Sequence, residues 1–364
     1  MSDPGASNRD TVPEAKMDLL QLLRQAIELN ASDLIVSAGS APTYRIDGQL
    51  VMAKSAALTA RQTQELIYGV LRDPQVARFE KERELDFSFE VEGRRRFRGN
   101  AFYQRNTVAG AFRLISERVP AFATLNLPPV LEEFAMMTQG FIIITGPAGH
   151  GKSTTQAAMI DLINSKKRAH IITIEDPIEF MHANKKSIIE QREIGEDTLS
   201  FAEGLKHVLR ESPDVILVGE MRDAESIACA LTAAETGHLV IATAHTNDCV
   251  QAIDRMIDVF PANQQGQVRT QMSMALLAVI GQRLIPRQDG NGRLPAVEIL
   301  KNTPAVSHLV RDEKTTQLYA IMETHAREGM RTMDAALKDL FLRGLITYDE
   351  ARGRMRMPTL LDRS

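Results

Sequence analysis

The run Phe141-Ile-Ile-Ile-Thr145 leads without a break into Gly146-Pro-Ala-Gly-His-Gly-Lys-Ser153, and no other stretch limits the possible folds so sharply. Its Gly-x-x-x-x-Gly-Lys-Ser pattern is that of a phosphate-binding loop. Glycine lets such a loop curl until successive backbone N–H groups face one concavity, where an inward Cβ would block the phosphates. Lys152 supplies a point charge to the β- and γ-phosphates, and the Ser153 hydroxyl stands where Mg2+ is ligated. The apolar run before the loop suits a buried parallel strand. Met159, Leu162 and Ile163 give Ser153–Lys166 the apolar face of a helix, whose positive dipole end adds to the attraction for anions. The expected nucleotide-binding residues are Gly146, Pro147, Ala148, Gly149, His150, Gly151, Lys152, Ser153 and Thr154.

A chain of 364 residues is expected to form two domains. Residues 1–16 are polar and read as a disordered leader, and 17–116 as a small α+β domain. Residues 117–129, with Pro120, Pro128 and Pro129, read as a linker, and 130–364 as the larger α/β domain. In the small domain Met17–Leu29 and Thr59–Leu71 have helical periodicity, with Thr59 as N-cap. Asp33–Ser37, Thr43–Ile46 and Gln49–Met52 read as strands, the last two joined by an Asp47-Gly48 turn. Glu84–Val91, Arg96–Gln104 and Val108–Ile115 alternate apolar with polar residues, as in a half-solvated antiparallel sheet.

In the larger domain, His170–Ile174, Asp214–Val218 and Leu239–Thr243 repeat the short apolar run of Phe141–Thr145, mostly with helical segments between them. That alternation predicts a mostly parallel sheet covered on both faces. Ser187–Arg192 reads as an extra strand. Phe201–Arg210, Ala224–Glu235, Ala252–Phe260, Asn263–Arg283, Thr303–Val310, Arg331–Arg343 and Tyr348–Arg354 read as helices. The phosphate loop, Glu175, Glu220 and His245 all fall at or just past a strand's carboxyl end, the edge at which open α/β sheets bind ligands.

Glu220 is placed to hold Mg2+ through water, or to orient and deprotonate an attacking water; Ser153 and Glu220 are the expected metal residues. Glu175 and Glu179, separated by Pro177, can share those duties, against the plainer reading of an acidic turn. His238 and His245 flank one strand. Either alone is an ordinary histidine; together they can sense the γ-phosphate or pass strain onward. Glu92–Arg105 is the most basic stretch and is open to three readings: a nucleic-acid surface, a solvated sheet face, or a source of arginine fingers. In the last reading Arg98, Arg105 and Arg113 stabilise transition-state charge in a neighbouring active site.

The boxes together resemble those of the secretion-superfamily ATPases. Gly146–Thr155 is similar to their Walker A, Ile172–Phe180 to their Asp box, Pro213–Asp223 to their Walker B with Gly-Glu for the usual aspartate, and Thr236–Thr246 to their His box. Within that superfamily the chain resembles the pilus-retraction branch, a likeness also carried by Ala31–Gly39 and Phe97–Phe102. The resemblance implies a RecA-like P-loop NTPase domain preceded by a smaller PAS-like α+β domain, packed subunit to subunit in a homohexamer. It implies Glu220 as catalytic glutamate, Glu175 and Glu179 as Asp-box acids, His238 and His245 as the His-box pair, and Arg98, Arg105 and Arg113 reaching the nucleotide from the small domain. Ala148 and His150 stand where this branch usually has Thr and Ser, Ala244 where it has Leu, and Ser307 and His308 where it has Arg and Asn.

The resemblance leads to the expectation of a cytoplasmic ATPase at the inner-membrane face, using ATP and Mg2+ to drive pilus retraction. Its expected partners are the inner-membrane pilus platform, the pilus machinery and a paralogous retraction ATPase. An assembly or export ATPase, a non-hydrolysing accessory paralogue and a nucleic-acid motor are the alternatives. A net charge of −4 gives no pull toward nucleic acid or anionic membrane. The only cysteines, Cys229 and Cys249, exclude a four-cysteine metal module within the chain and read as reduced thiols. No apolar run approaches about 18 residues, so membrane contact is expected only peripherally, through partners.

Overall fold

Alternation of period two in the first part of the chain becomes one sheet with a single apolar face. The computed structural model describes residues 18–46, 48–91, 95–116 and 118–361. The expected leader, Met17, Asp47 of the turn and Glu92, Gly93 and Arg94 of the basic run lie outside the described residues. The chain divides into two units, Met1–Ile115 and Ser116–Ser364.

In the first unit the order is α1 (Leu19–Glu28), β1 (Asp33–Val36), β2 (Thr43–Ile46), β3 (Gln49–Met52), α2 (Ala60–Tyr68), α3 (Asp73–Glu82), β4 (Glu84–Val91), β5 (Arg95–Gln104) and β6 (Thr107–Leu114). The strands pair antiparallel in the order β3-β2-β1-β6-β5-β4. Thr59 caps α2 in a reciprocal box with Gln62. Helix α3 has no counterpart in the sequence reading, because Phe79 is its only buried residue and leaves almost no apolar stripe to detect. Leu23, Ile67 and Phe79 from the helices pack with Phe87, Phe97 and Phe112 from the sheet. The other face is polar. Register aligns Arg45, Asp33, Arg113 and Arg98 in one row across it, with Arg113 Nε 2.8 Å from Asp33 Oδ1. Arg105 and Asn106, with φ of 46° and 61°, close the β5–β6 hairpin in a two-residue turn.

The second unit opens with a 3-10 turn at Phe122–Thr124 and α4 (Val130–Ala135). Phe122 is buried in one cluster with Leu131 and Phe134, so part of the stretch read as a linker belongs to this unit's core. There follow β7 (Gly140–Thr145), α5 (Lys152–Lys166), β8 (His170–Glu175), β9 (Ile188–Glu193), α6 (Phe201–Val208), β10 (Val215–Val218), α7 (Ala224–Glu235), β11 (Leu239–Ala244), α8 (Cys249–Asp258) and α9 (Ala262–Ala275). The unit ends with β12 (Leu276–Pro286), β13 (Arg293–Lys301), α10 (Pro304–Arg311), α11 (Leu318–Thr324), α12 (Met333–Leu342) and α13 (Tyr348–Arg352). Seven strands form one sheet in the order β13-β12-β7-β11-β10-β8-β9, parallel except for the β12–β13 pair. Neighbouring residues on β7 bury on opposite faces, Ile143 with Val218 and Val240, Ile142 and Ile144 with Met159 and Ile163. This two-sided burial explains why the parallel strands read as unbroken apolar runs.

One expectation is overturned here. Asn263–Arg283 is not one helix: α9 stops at Ala275, and Leu276–Pro286 is a strand beside β7. No glycine or proline separates the two, and Leu276, Leu277 and Ala278 favour helices, so local preference at the junction points the wrong way. Pairing with β7 decides the matter, since both faces of β12 find apolar partners there. Strand β13 likewise has no counterpart in the sequence reading.

Candidate nucleotide site

The loop between β7 and α5 forms the floor of a cavity of about 430 Å3. It is lined by Gly151, Lys152, Ser153 and Thr154 on one side and by Glu175, Glu179, Glu220 and His245 on the other. Parallel strands explain the convergence: β7, β8, β10 and β11 all run the same way, so the residues that follow them share one edge. Gly146 has φ of 148°, and a Cβ there would lie 2.2 Å from the Gln282 carbonyl oxygen, so only glycine lets the loop start so close to β12. Gly151, with φ of 81°, precedes the first residue of α5 and turns the chain into the helix.

Lys152 is buried. Its ammonium donates to the carbonyls of Gly146 at 2.8 Å and Pro147 at 3.0 Å, and lies 3.3 Å from His245 Nδ1. Lysine has only donors, so Nδ1 accepts and the neutral ring carries its proton on Nε2. That Nε2 is 3.4 Å from Glu220 Oε1, while Arg222 holds Glu220 Oε2 at 2.6 Å. A line of contacts therefore joins the loop lysine, the histidine after β11 and the glutamate after β10. Burial alone would raise the Glu220 carboxyl. The hydrogen bond from Arg222 and the positive charges of Arg222 and Lys152 outweigh it and hold the group below the usual carboxylate range. Burial lowers the Lys152 ammonium, and Glu220 and Glu179 act against that.

Glu175 behaves differently. Thr173 Oγ1 donates to its Oε1 at 2.7 Å, Gln191 Nε2 to the same oxygen at 3.2 Å, and the Glu179 backbone N–H to Oε2 at 3.4 Å. Burial dominates these contacts and pushes the carboxyl up to about 7. The site thus holds two carboxyls with separated titrations, one charged and one near half-protonation at neutral pH. Three threonines tie the strand ends together. Thr145 and Thr246 hydroxyls meet at 2.7 Å, and Thr243 Oγ1 donates to the Gly219 carbonyl.

Not every expected residue arrives. His238 precedes β11 and His245 follows it, so they stand at opposite edges of the sheet. His238 Nδ1 lies 2.9 Å from the Ala233 carbonyl near the end of α7, outside the cavity, and so it does not pair with His245 in its own chain. The extra strand read at Ser187–Arg192 supplies Gln191 to Glu175. Arg98, Arg105 and Arg113 belong to the first unit, where all three are exposed. His150 joins the loop to β12: its Nδ1 accepts the Leu284 backbone N–H at 3.0 Å. Burial, then the charges of Arg293, Lys152, Arg283 and Arg354, keep that ring below its usual value.

Sequence reasoning missed the β12–β13 contribution. Leu284 and Arg293 line the cavity, and with Gly151 and Thr154 they also line a second cavity of about 330 Å3 that includes Leu127 and Pro295. Helical periodicity read into Asn263–Arg283 hid β12, and only its pairing partner could have revealed it.

Residues 125–352 match the family model described as Type II/IV secretion system protein. The chain is 46% identical over 342 residues to the Type IV pilus retractation ATPase PilT of Pseudomonas aeruginosa, spanning 94% of this chain and 99% of that protein. It is 41% identical over 335 residues to the Type IV pilus ATPase PilU of the same organism, spanning 92% and 88% respectively. The crystal structure of the pilus retraction motor PilT with bound ADP matches with a TM-score of 0.88 at 46% identity, covering 96% of this chain and 100% of that one.

Proposed function

This chain belongs to the Type II/IV secretion system protein family, and on that premise we propose that it hydrolyses ATP to power retraction of a type IV pilus. The observation that carries the reading is the line of contacts from Lys152 through His245 to Glu220 around one cavity. The ADP bound in the PilT crystal structure, at 46% identity, supports a nucleotide as the ligand. The triphosphate lies on the loop N–H groups, with Lys152 exchanging its loop carbonyls for phosphate oxygens. The base and ribose extend past Thr154 into the second cavity.

Ser153, Glu175, Glu179 and Glu220 present hard oxygen donors to the same space, a set that suits Mg2+. Ser153 and Glu220 would hold the ion, which supplies charge neutralisation at the phosphates when bound. Glu220 is kept anionic and takes a proton from the attacking water, and His245 holds it in place while contacting Lys152. Loss of the γ-phosphate removes the contact that distinguishes two arrangements of the protein, which is how cleavage becomes motion. In a homohexamer Arg98, Arg105 and Arg113 would meet a neighbour's phosphates. Support for this lies in their exposure on the polar face and hairpin tip of the first unit. Among the described residues no helix is long and apolar enough to cross a membrane, and we place the motor at the cytoplasmic face of the inner membrane, on the pilus platform.

Steady-state phosphate release by the purified chain tests the reading. ATP- and Mg2+-dependent release, unchanged by added DNA or RNA, is expected; absence of release would leave only a nucleotide-binding accessory ring. A second reading, that the chain works beside a paralogue, is raised by its 41% identity to a second pilus ATPase, PilU. Deleting the gene separates them, since loss of all retraction fits the first and weakened retraction the second.

The titration of Glu175 gives a further prediction. Its carboxyl is charged only above about 7, so kcat/KM for ATP, which reports the free enzyme, rises as pH climbs through that value. Glu175→Gln lowers the rate and flattens that rise. An unaltered rise in the variant would assign the titration to another group.

A further inference from the structure

Gln282 lies deep in β12, only 2% exposed, opposite Val297 of β13. A primary amide buried there is destabilising unless both of its ends find partners. Both do. Its Oε1 accepts the Thr155 hydroxyl at 2.7 Å, and its Nε2 donates to the His150 carbonyl at 2.8 Å. Carbonyl oxygen can only accept, so the sense of the amide is fixed by its partners. One side chain thus spans the top of the phosphate loop and the first turn of α5.

Neighbouring contacts act in the same direction. Leu284 N–H reaches His150 Nδ1 at 3.0 Å, and Arg293 Nη1 reaches the Gly149 carbonyl at 3.3 Å. Carbonyls 149 and 150 are therefore both turned toward the β12–β13 hairpin. In a trans peptide the C=O and the following N–H point in opposite directions. Pinning these two carbonyls to the hairpin aims the N–H groups of His150 and Gly151 away from it, toward the phosphate side of the loop.

We infer that Gln282 is a positioning residue for phosphate binding, acting through the His150 carbonyl and Thr155 without itself touching the nucleotide. The inference rests on the nucleotide-site reading above.

Gln282→Glu tests it in the full-length chain, with a fluorescent ATP analogue and Mg2+ as the probe. A carboxylate of the same shape still accepts from Thr155 but faces the His150 carbonyl with a second acceptor. At about pH 8 the Kd of the variant is expected to exceed that of the parent by about tenfold or more. On lowering the pH to about 6 the buried carboxyl takes a proton, regains a donor and brings the Kd back toward the parent's value at that pH. A residue needed only for packing would show no such recovery. Gln282→Met keeps the volume, removes both bonds and is the second variant, expected to raise KM about tenfold with kcat changed less than threefold. Parent-like binding by Gln282→Met, or by Gln282→Glu at the higher pH, would overturn the inference, as would a defect in Gln282→Glu that ignores pH. Failure of the parent itself to bind the analogue would instead overturn the nucleotide-site reading.

Discussion

Glu220→Gln is expected to bind ATP about as tightly as the parent chain and to hydrolyse it at least about a hundredfold more slowly. The amide preserves the shape of the side chain, and its single oxygen can still accept from one of Arg222 and His245, which lie 2.6 and 3.4 Å from the carboxylate oxygens. What it loses is basicity. Those neighbours hold the native carboxyl below its ordinary value, so it is anionic at neutral pH. An amide cannot take a proton from water under those conditions. Binding is spared because the phosphates are held by the loop and by Lys152, Ser153 remains to hold Mg2+, and removing a negative charge from the cavity does not weaken an anion's hold. Equilibrium binding of a labelled ATP and single-turnover phosphate release, measured side by side, separate the two effects. Turnover within a few-fold of the parent would remove Glu220 from the chemistry.

Lys152→Ala should fail earlier, at binding. The ammonium is buried against the Gly146 and Pro147 carbonyls and His245, within the loop that receives the phosphates. A charged hydrogen bond to phosphate contributes roughly 1.5–3 kcal/mol, so its loss raises the Kd for ATP by about tenfold to a hundredfold or more. The loss also leaves Glu220 and Glu179 without the positive charge that offsets them, which adds repulsion toward the triphosphate. Hydrolysis should then be lost even at saturating ATP, since Lys152 also stabilises charge that develops on the transferred group. A variant that binds normally and merely turns over slowly would show that the phosphates are held by backbone alone. Calorimetric titration of ATP into parent and variant decides between these.

The two variants differ in kind because the residues reach the site by different routes, and those routes also decide what could be read from sequence. Lys152 belongs to a contiguous motif whose spacing carries its own physics. Glu175, Glu220 and His245 are scattered far apart along the chain, yet each follows a short apolar run, and parallel strands must deliver such residues to one edge. His238 shows where that logic stops: flanking a strand is not the same as lying at its carboxyl end, and only direction separates it from His245. Gln282 was beyond reach for another reason. Its run joins α9 with no glycine or proline at the junction, and its function depends on pairing with β7, far earlier in the chain. Helix α3 escaped because a single buried residue, Phe79, carries its packing. Local preference and periodicity report what a segment can do alone, whereas β12 is defined by what it lies beside.

His150 illustrates the same point on a smaller scale. As a sequence departure it is one side chain in a loop of glycines, with no visible partner. In the fold its ring accepts a backbone N–H from β12 while its carbonyl accepts the Gln282 amide, so one residue joins loop and strand twice. A serine at this position, the usual residue of the retraction branch, has a side chain too short to span the same gap.

Retraction depends, in this reading, on chemistry at Lys152, His245 and Glu220. Pilus dynamics in cells whose only copy of this chain carries Glu220→Gln put that to the test, with labelled pili followed by fluorescence microscopy. The expected result is pili that extend and stay extended, with retraction events absent while the variant protein remains at parental abundance. Retraction at parental frequency and speed in those cells would contradict it.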